Sequence, residues 1–108
     1  MNPINLNDLN AREIIPGYRA RFVQSENMTL AFWEITANAP MPEHSHPNEQ
    51  VTTLIEGEFL MTISGETNHL KPGSVLIIPP DVRHSGKPLT DCKIIDVFYP
   101  RREEYRNN

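Results

Sequence analysis

The stretch Val51-Thr-Thr-Leu-Ile55-Glu56-Gly57-Glu58-Phe59-Leu-Met-Thr-Ile-Ser64-Gly65-Glu66, continued by Lys71-Pro72-Gly73-Ser74-Val-Leu-Ile-Ile78-Pro79-Pro80-Asp81, decides the fold class. Runs rich in β-branched and aromatic residues, at 51–55, 58–64 and 74–78, are too short for helices and are cut apart by Gly- and Pro-bearing breaks. That alternation predicts short strands joined by tight turns, the pattern of a sandwich or closed barrel. Working outward, Tyr18, Ala20 and Phe22 alternate with Arg19 and Arg21, the two-residue period of a half-buried strand. Residues 29–36 and 93–99 read as further strands, and Pro40 and Pro42 end the first of these. A turn of helix is expected within 8–13, and the charged end, 101–108, is expected to form a short helix or fray.

Composition agrees. Ten prolines in 108 residues is about 9%, against a usual share of about 5%, which disfavours helix bundles. One domain fits the length, divided as an arm (1–15), a barrel (16–102) and a tail (103–108). A net charge of −4 with no basic run excludes an electrostatic footprint for nucleic acid. No apolar run approaches the ~20 residues of a membrane span. The lone Cys92 cannot form an intrachain disulfide, and Met1–Asn5 lacks the regions of a signal peptide. A cytoplasmic protein is therefore expected.

Three of the four histidines are suggestively placed. On an extended segment His44 and His46 project to one face, with Gln50 at the same parity. His84 follows Pro79-Pro80-Asp81-Val82-Arg83, and in a closed barrel it would meet the pair from an opposite strand. Two imidazoles two residues apart plus one distant in sequence make a plausible site for a divalent transition metal, with Zn, Ni, Mn, Fe and Co all suited. Glu49 competes with Gln50 if the strand bulges by one residue. His69 is expected on the surface without a role, and Cys92 as a packing residue.

Period two in the last strand sets Ile94, Asp96 and Phe98 on one face and Ile95, Val97 and Tyr99 on the other. Both faces are largely apolar, so one lines the interior and the other packs outside, against a second subunit in a homodimer. Burial among apolar neighbours would raise the pKa of Asp96 and fit it to proton transfer near neutral pH. Tyr18 and Trp33 read as core or interface residues.

The run from Asn38 through His44, His46 and Gln50 to Gly57 resembles the first cupin motif, G-x5-H-x-H-x3-E-x6-G. The run from Gly73 through Pro79 and Asp81 to His84 resembles the second, G-x5-P-x-G-x2-H. The similarity spans about 21–102. It implies an all-β cupin double-stranded β-helix, or jelly-roll barrel, holding a metal among these residues. Asn38 and Asp81 stand where the motifs carry glycine, and both residue types tolerate left-handed backbone. Gln50 stands where the motif carries Glu, which leaves a bound ion its full positive charge.

The steps His44-Ser-His-Pro-Asn-Glu-Gln50, Leu54–Phe59, Ile78–His84 and Asp96-Val-Phe98-Tyr-Pro100-Arg-Arg102-Glu103 are similar to the KdgF branch of cupins. That resemblance implies conversion of 4,5-unsaturated uronates to linear keto-sugar acids. By position it puts the metal on His44, His46, Gln50 and His84, and the pocket acid, ring and cation on Asp96, Phe98 and Arg102. In that role Asp96 moves a proton and Arg102 clamps the carboxylate of a small-molecule substrate stacked on Phe98. Arg101 is the adjacent substitute. A dioxygenase acting on a small molecule and a non-catalytic ligand-binding cupin remain the alternatives.

Overall fold

The computed structural model describes residues 1–105 and is almost entirely β. Ten strands run in order: β1 (Arg12–Ile15), β2 (Tyr18–Gln24), β3 (Thr29–Ile35), β4 (Met41–His44), β5 (Glu49–Glu56), β6 (Phe59–Ile63), β7 (Glu66–Leu70), β8 (Val75–Ile78), β9 (His84–Pro88) and β10 (Cys92–Tyr99). They form two antiparallel sheets, one ordered β1-β2-β3-β10-β5-β8 and the other β4-β9-β6-β7. Side chains of both sheets line one central chamber, so the sheets face each other as in a jelly roll.

Every run read as a strand in the sequence is one. The four strands that were not anticipated have a common explanation. β1, β4 and β7 are edge strands, where one ladder is missing and prolines and polar side chains are tolerated. Pro42 lies in β4, and β7 reads Glu-Thr-Asn-His-Leu with only Leu70 buried. β9 contains Gly86 and closes on Pro88, composition that resembles a turn.

The helical turn expected at 8–13 is not there. A single 3-10 turn covers Leu6–Asp8, with the side chain of Asn5 accepting from the Asn7 amide at 2.9 Å. Arg12 and Glu13 are already extended, paired with Ala20 and Arg19. The segment 1–15 is thus not all arm, since its last four residues form β1. At the other end a 3-10 turn (Glu103–Tyr105) carries Tyr105 back onto the core, stacked on Phe22 with ring centroids 4.4 Å apart. Residues 106–108 of the tail lie outside the described residues.

β10 is the central plank, bonded to β3 and β5. Its burial alternates as expected: Ile94, Asp96 and Phe98 point inward, whereas Tyr99 is exposed. Cys92 is buried at the start of this strand. Gly57, at φ 93, makes the β5–β6 turn where a Cβ would lie 2.3 Å from the Asp91 carbonyl, so only glycine fits. Asn38 and Asp81 adopt φ of 66 and 65, the left-handed conformation that lets them replace the motif glycines. Outside the large sheet, Val23, Leu30, Val97, Val51 and Ile77 align in register across five strands.

Candidate functional site

The end of β4 brings in His44, the segment just after it His46, and the start of β9 His84. His44 and His84 are direct partners in the β4–β9 ladder. This corrects the expectation of an opposite strand: the imidazoles meet because neighbouring strands put paired residues on one face. The amide of Asp81 donates to the His46 carbonyl at 2.8 Å, tying the two histidine-bearing loops together. One ring nitrogen from each histidine lies within 4.8 Å of the others. His46 and His84 are buried, and His44 is half-buried.

Hydrogen bonds fix the tautomers. Nδ1 of His44 donates to the Pro42 carbonyl at 2.9 Å, that of His84 to Val82 at 2.9 Å, and that of His46 to Asn48 at 3.0 Å. A carbonyl can only accept, so each neutral ring presents a bare Nε2 lone pair. Nε2 of His84 is buried without a hydrogen-bond partner. Nε2 of His46 lies 3.0 Å from Oε1 of Gln50.

The Gln50 amide is itself oriented. Its nitrogen donates to Thr52 Oγ1 at 2.9 Å, and that hydroxyl donates to Asp96 Oδ1 at 2.7 Å. Trp33 Nε1 donates to the other Asp96 oxygen at 2.9 Å. Gln50 must therefore turn its oxygen toward His46, setting two acceptors face to face. Only a proton on the ring or a cation between them relieves that contact. Burial, followed by the nearby Arg102, pushes the His46 pKa down, and burial takes His84 to about 4, so protonation is disfavoured. This donor set fits a divalent transition metal.

Gln50 is buried and shares the inward parity of Thr52 and Leu54, whereas Glu49 is exposed. The geometry thus places Gln50, rather than Glu49, beside the histidines. Asp96 is buried in the chamber wall, and desolvation raises its pKa to about 6 against the opposing pull of its hydrogen bonds from Thr52, Gln50 and Trp33 and of the Arg102 charge. The Arg102 guanidinium lies 5.0 Å from the Phe98 ring centroid and 4.4 Å from that of Tyr105, and bonds Glu104 at 3.1 Å. Its Nε is buried and unpartnered. Arg101 instead pairs with Glu103 and does not line the chamber. His69 sits on the surface, 2.9 Å from Glu58.

The cavity measures about 280 Å³ and is lined by His44, Gln50, Thr52, His84, Asp96 and Arg102, together with apolar and aromatic side chains. Sequence reasoning did not identify Thr52, Trp33 or Tyr105 as parts of this site. Thr52 was accessible through its parity with Gln50. Tyr105 carried no periodic signal.

Residues 31–98 match the family described as Cupin domain. The chain belongs to the cupin family. Over 100 residues, 90% of this cupin, it is 29% identical to H2HPP isomerase of Bacillus subtilis, spanning 42% of that protein's length. An RmlC-like cupin from Shewanella frigidimarina superposes with a TM-score of 0.87 at 25% identity, covering 93% of this chain and 91% of its own. KdgF from Halomonas sp. superposes with a TM-score of 0.86 at 23% identity, covering 93% and 94%. The two solved structures share the fold of this chain, the jelly roll expected from the two motifs. Among the described residues no helix is long and apolar enough to cross a membrane.

Proposed function

We propose that this cupin is a metal-dependent enzyme that isomerises a small carboxylated substrate by moving a proton between oxygen and carbon. One observation carries the reading: Asp96 and Arg102 line the same chamber as His44, Gln50 and His84. His44, His46, Gln50 and His84 would hold the ion, which when bound polarises a substrate oxygen as a Lewis acid. Arg102 fixes the substrate carboxylate, its guanidinium held over the Phe98 and Tyr105 rings. Asp96, with a pKa of about 6, accepts and returns a proton near neutrality.

For an unsaturated uronate the sequence is balanced without redox chemistry. The anomeric hydroxyl loses its proton to Asp96, and its carbonyl forms as the ring C–O bond breaks. The electron pair passes through the enol ether to the carbon that takes the proton back. The KdgF resemblance supports this substrate. The isomerase relative supports the reaction class. The apolar chamber walls favour a second substrate body, a carboxylate carrying hydrocarbon. The proposal also includes a homodimer formed through the apolar outer face of the large sheet, and a cytoplasmic setting in keeping with the free, buried Cys92.

The test is loss of the conjugated ultraviolet absorbance of an unsaturated uronate on addition of protein and divalent metal. Asp96→Asn is expected to cut turnover by about 10²-fold or more with metal content unchanged. Loss of metal instead would make Asp96 a structural support of the ligand set. Oxygen uptake with a catechol, without uronate turnover, would replace the isomerase with a dioxygenase.

A further inference from the structure

The chamber is divided by chemistry. At one end stand His44, His84, Gln50, Thr52, Asp96 and Arg102, with Tyr105 beneath the guanidinium. The other walls are Ile15, Ile35, Met41, Phe59, Met61 and Ile94, contributed by both sheets. The polar atoms within these walls are already used. Tyr18 donates its hydroxyl to the Ala39 carbonyl at 3.0 Å, and Trp33 gives its indole N–H to Asp96. A hydroxyl placed there would lose its water partners and find no replacement. A hydrocarbon surface placed there loses nothing and releases water from the walls. The size is also limiting, since about 280 Å³ is the space of roughly nine waters at ~30 Å³ each.

We infer that the ligand of this chamber is a compact carboxylate with a hydrocarbon body, alkyl or aryl, of roughly ten non-hydrogen atoms, and not a polyhydroxylated acid. The carboxylate faces Arg102, and the hydrocarbon lies against Phe59, Met61 and Ile35. The inference takes from the proposed function only that Arg102 holds the acid group. It replaces the uronate with a hydrocarbon acid as the substrate class of the same site and keeps the proton-transfer reaction.

Trp33 is the chain's single tryptophan and lines the chamber, so its emission reports occupancy directly. The experiment titrates the full chain, zinc-loaded and again after chelation, with 3-phenylpropanoate, 4-methylpentanoate and galacturonate. Both hydrocarbon acids are expected to change the emission saturably, with Kd at least about tenfold below that of galacturonate. Arg102→Gln should weaken all three, and Met61→Gln should weaken only the hydrocarbon acids. Equal or tighter binding of galacturonate overturns the inference. So does hydrocarbon-acid binding that neither substitution alters, which would lie elsewhere on the molecule. Because the readout is binding, the proton-transfer reading fails separately. If hydrocarbon acids bind in this order and Asp96→Asn has no effect on turnover, the catalytic proposal falls and this inference stands. If galacturonate binds tightly and unsaturated uronate turns over, the outcome is reversed.

Discussion

At Gln50 a carboxamide stands where a carboxylate would bring one negative charge to the histidine cluster. Its oxygen is aimed at His46 because its nitrogen is engaged by Thr52, whose hydroxyl serves Asp96. Gln50→Glu is therefore expected to tighten divalent-metal binding and to lower turnover, since the added anion weakens the ion's pull on substrate oxygen. Metal content after dialysis and initial rates test the two halves. His84 and Asp96 give opposite pH signatures in metal-free protein. His84 has a folded pKa of about 4, below the unfolded value of ~6.5, so its contribution is full above pH ~6.5 and is lost as pH falls through ~4. Asp96 has a folded pKa of about 6, above an unfolded ~3.9, so its contribution is full at low pH and is lost as pH rises through ~6. Asp96→Asn should accordingly raise the Tm of chelator-treated protein at about pH 8, relative to its effect at about pH 4. A Tm difference that does not change with pH would show that Asp96 bears no such burden.

Among the elements, β9 joins the site to the core. His84 opens it, and two residues on, Gly86 faces the same side beneath Phe59 of β6. A Cβ at Gly86 would lie 2.4 Å from the Phe59 ring. Gly86→Ala should destabilise the fold by about 1–3 kcal/mol, measured by urea unfolding, through overpacking. It should also shift the His84 ring resonances, because the strand that carries the ring must move. β9 and the edge strands β1, β4 and β7 were the elements the sequence concealed. Hydrophobic periodicity signals a face that must be buried, and a short edge strand with one ladder and a solvated side has little to hide. The inner strands β3, β5 and β10 carried that signal clearly, and their alternation grouped Asp96 with Ile94 and Phe98, while the folded structure showed that this face and Gln50 turn inward.

For the molecule as a whole, the outer face of the large sheet carries exposed apolar side chains among the described residues. Val75 and Ile77 on edge strand β8 are each 61% exposed, and Tyr99 of β10 is 57% exposed. The row from Val23 to Ile77 adds three further apolar residues between its ends. A contiguous apolar face of this kind is uncommon on a monomer, and in a homodimer it would meet its own copy about a two-fold axis. Ile77→Lys is expected to convert the proposed homodimer to a monomer in light scattering after size exclusion. Zinc content should not change, since Ile77 points away from the chamber. A wild-type monomer at all concentrations would remove the dimer.

The sequence by itself determined that the chain is a cupin barrel with His44, His46 and His84 as candidate ligands, because strand periodicity and motif spacing are local properties of the chain. It also put Asp96 and Phe98 on one face of their strand, since parity needs only one strand, and the structure shows that this face is the inner one. Only the tertiary structure decided that His84 is the ladder partner of His44, that Gln50 and not Glu49 turns inward, and that Tyr105 returns from the tail to back Arg102. It alone revealed the apolar end of the chamber. Those features are made by residues far apart in sequence, and their energies depend on which surfaces meet after the two sheets close and exclude water.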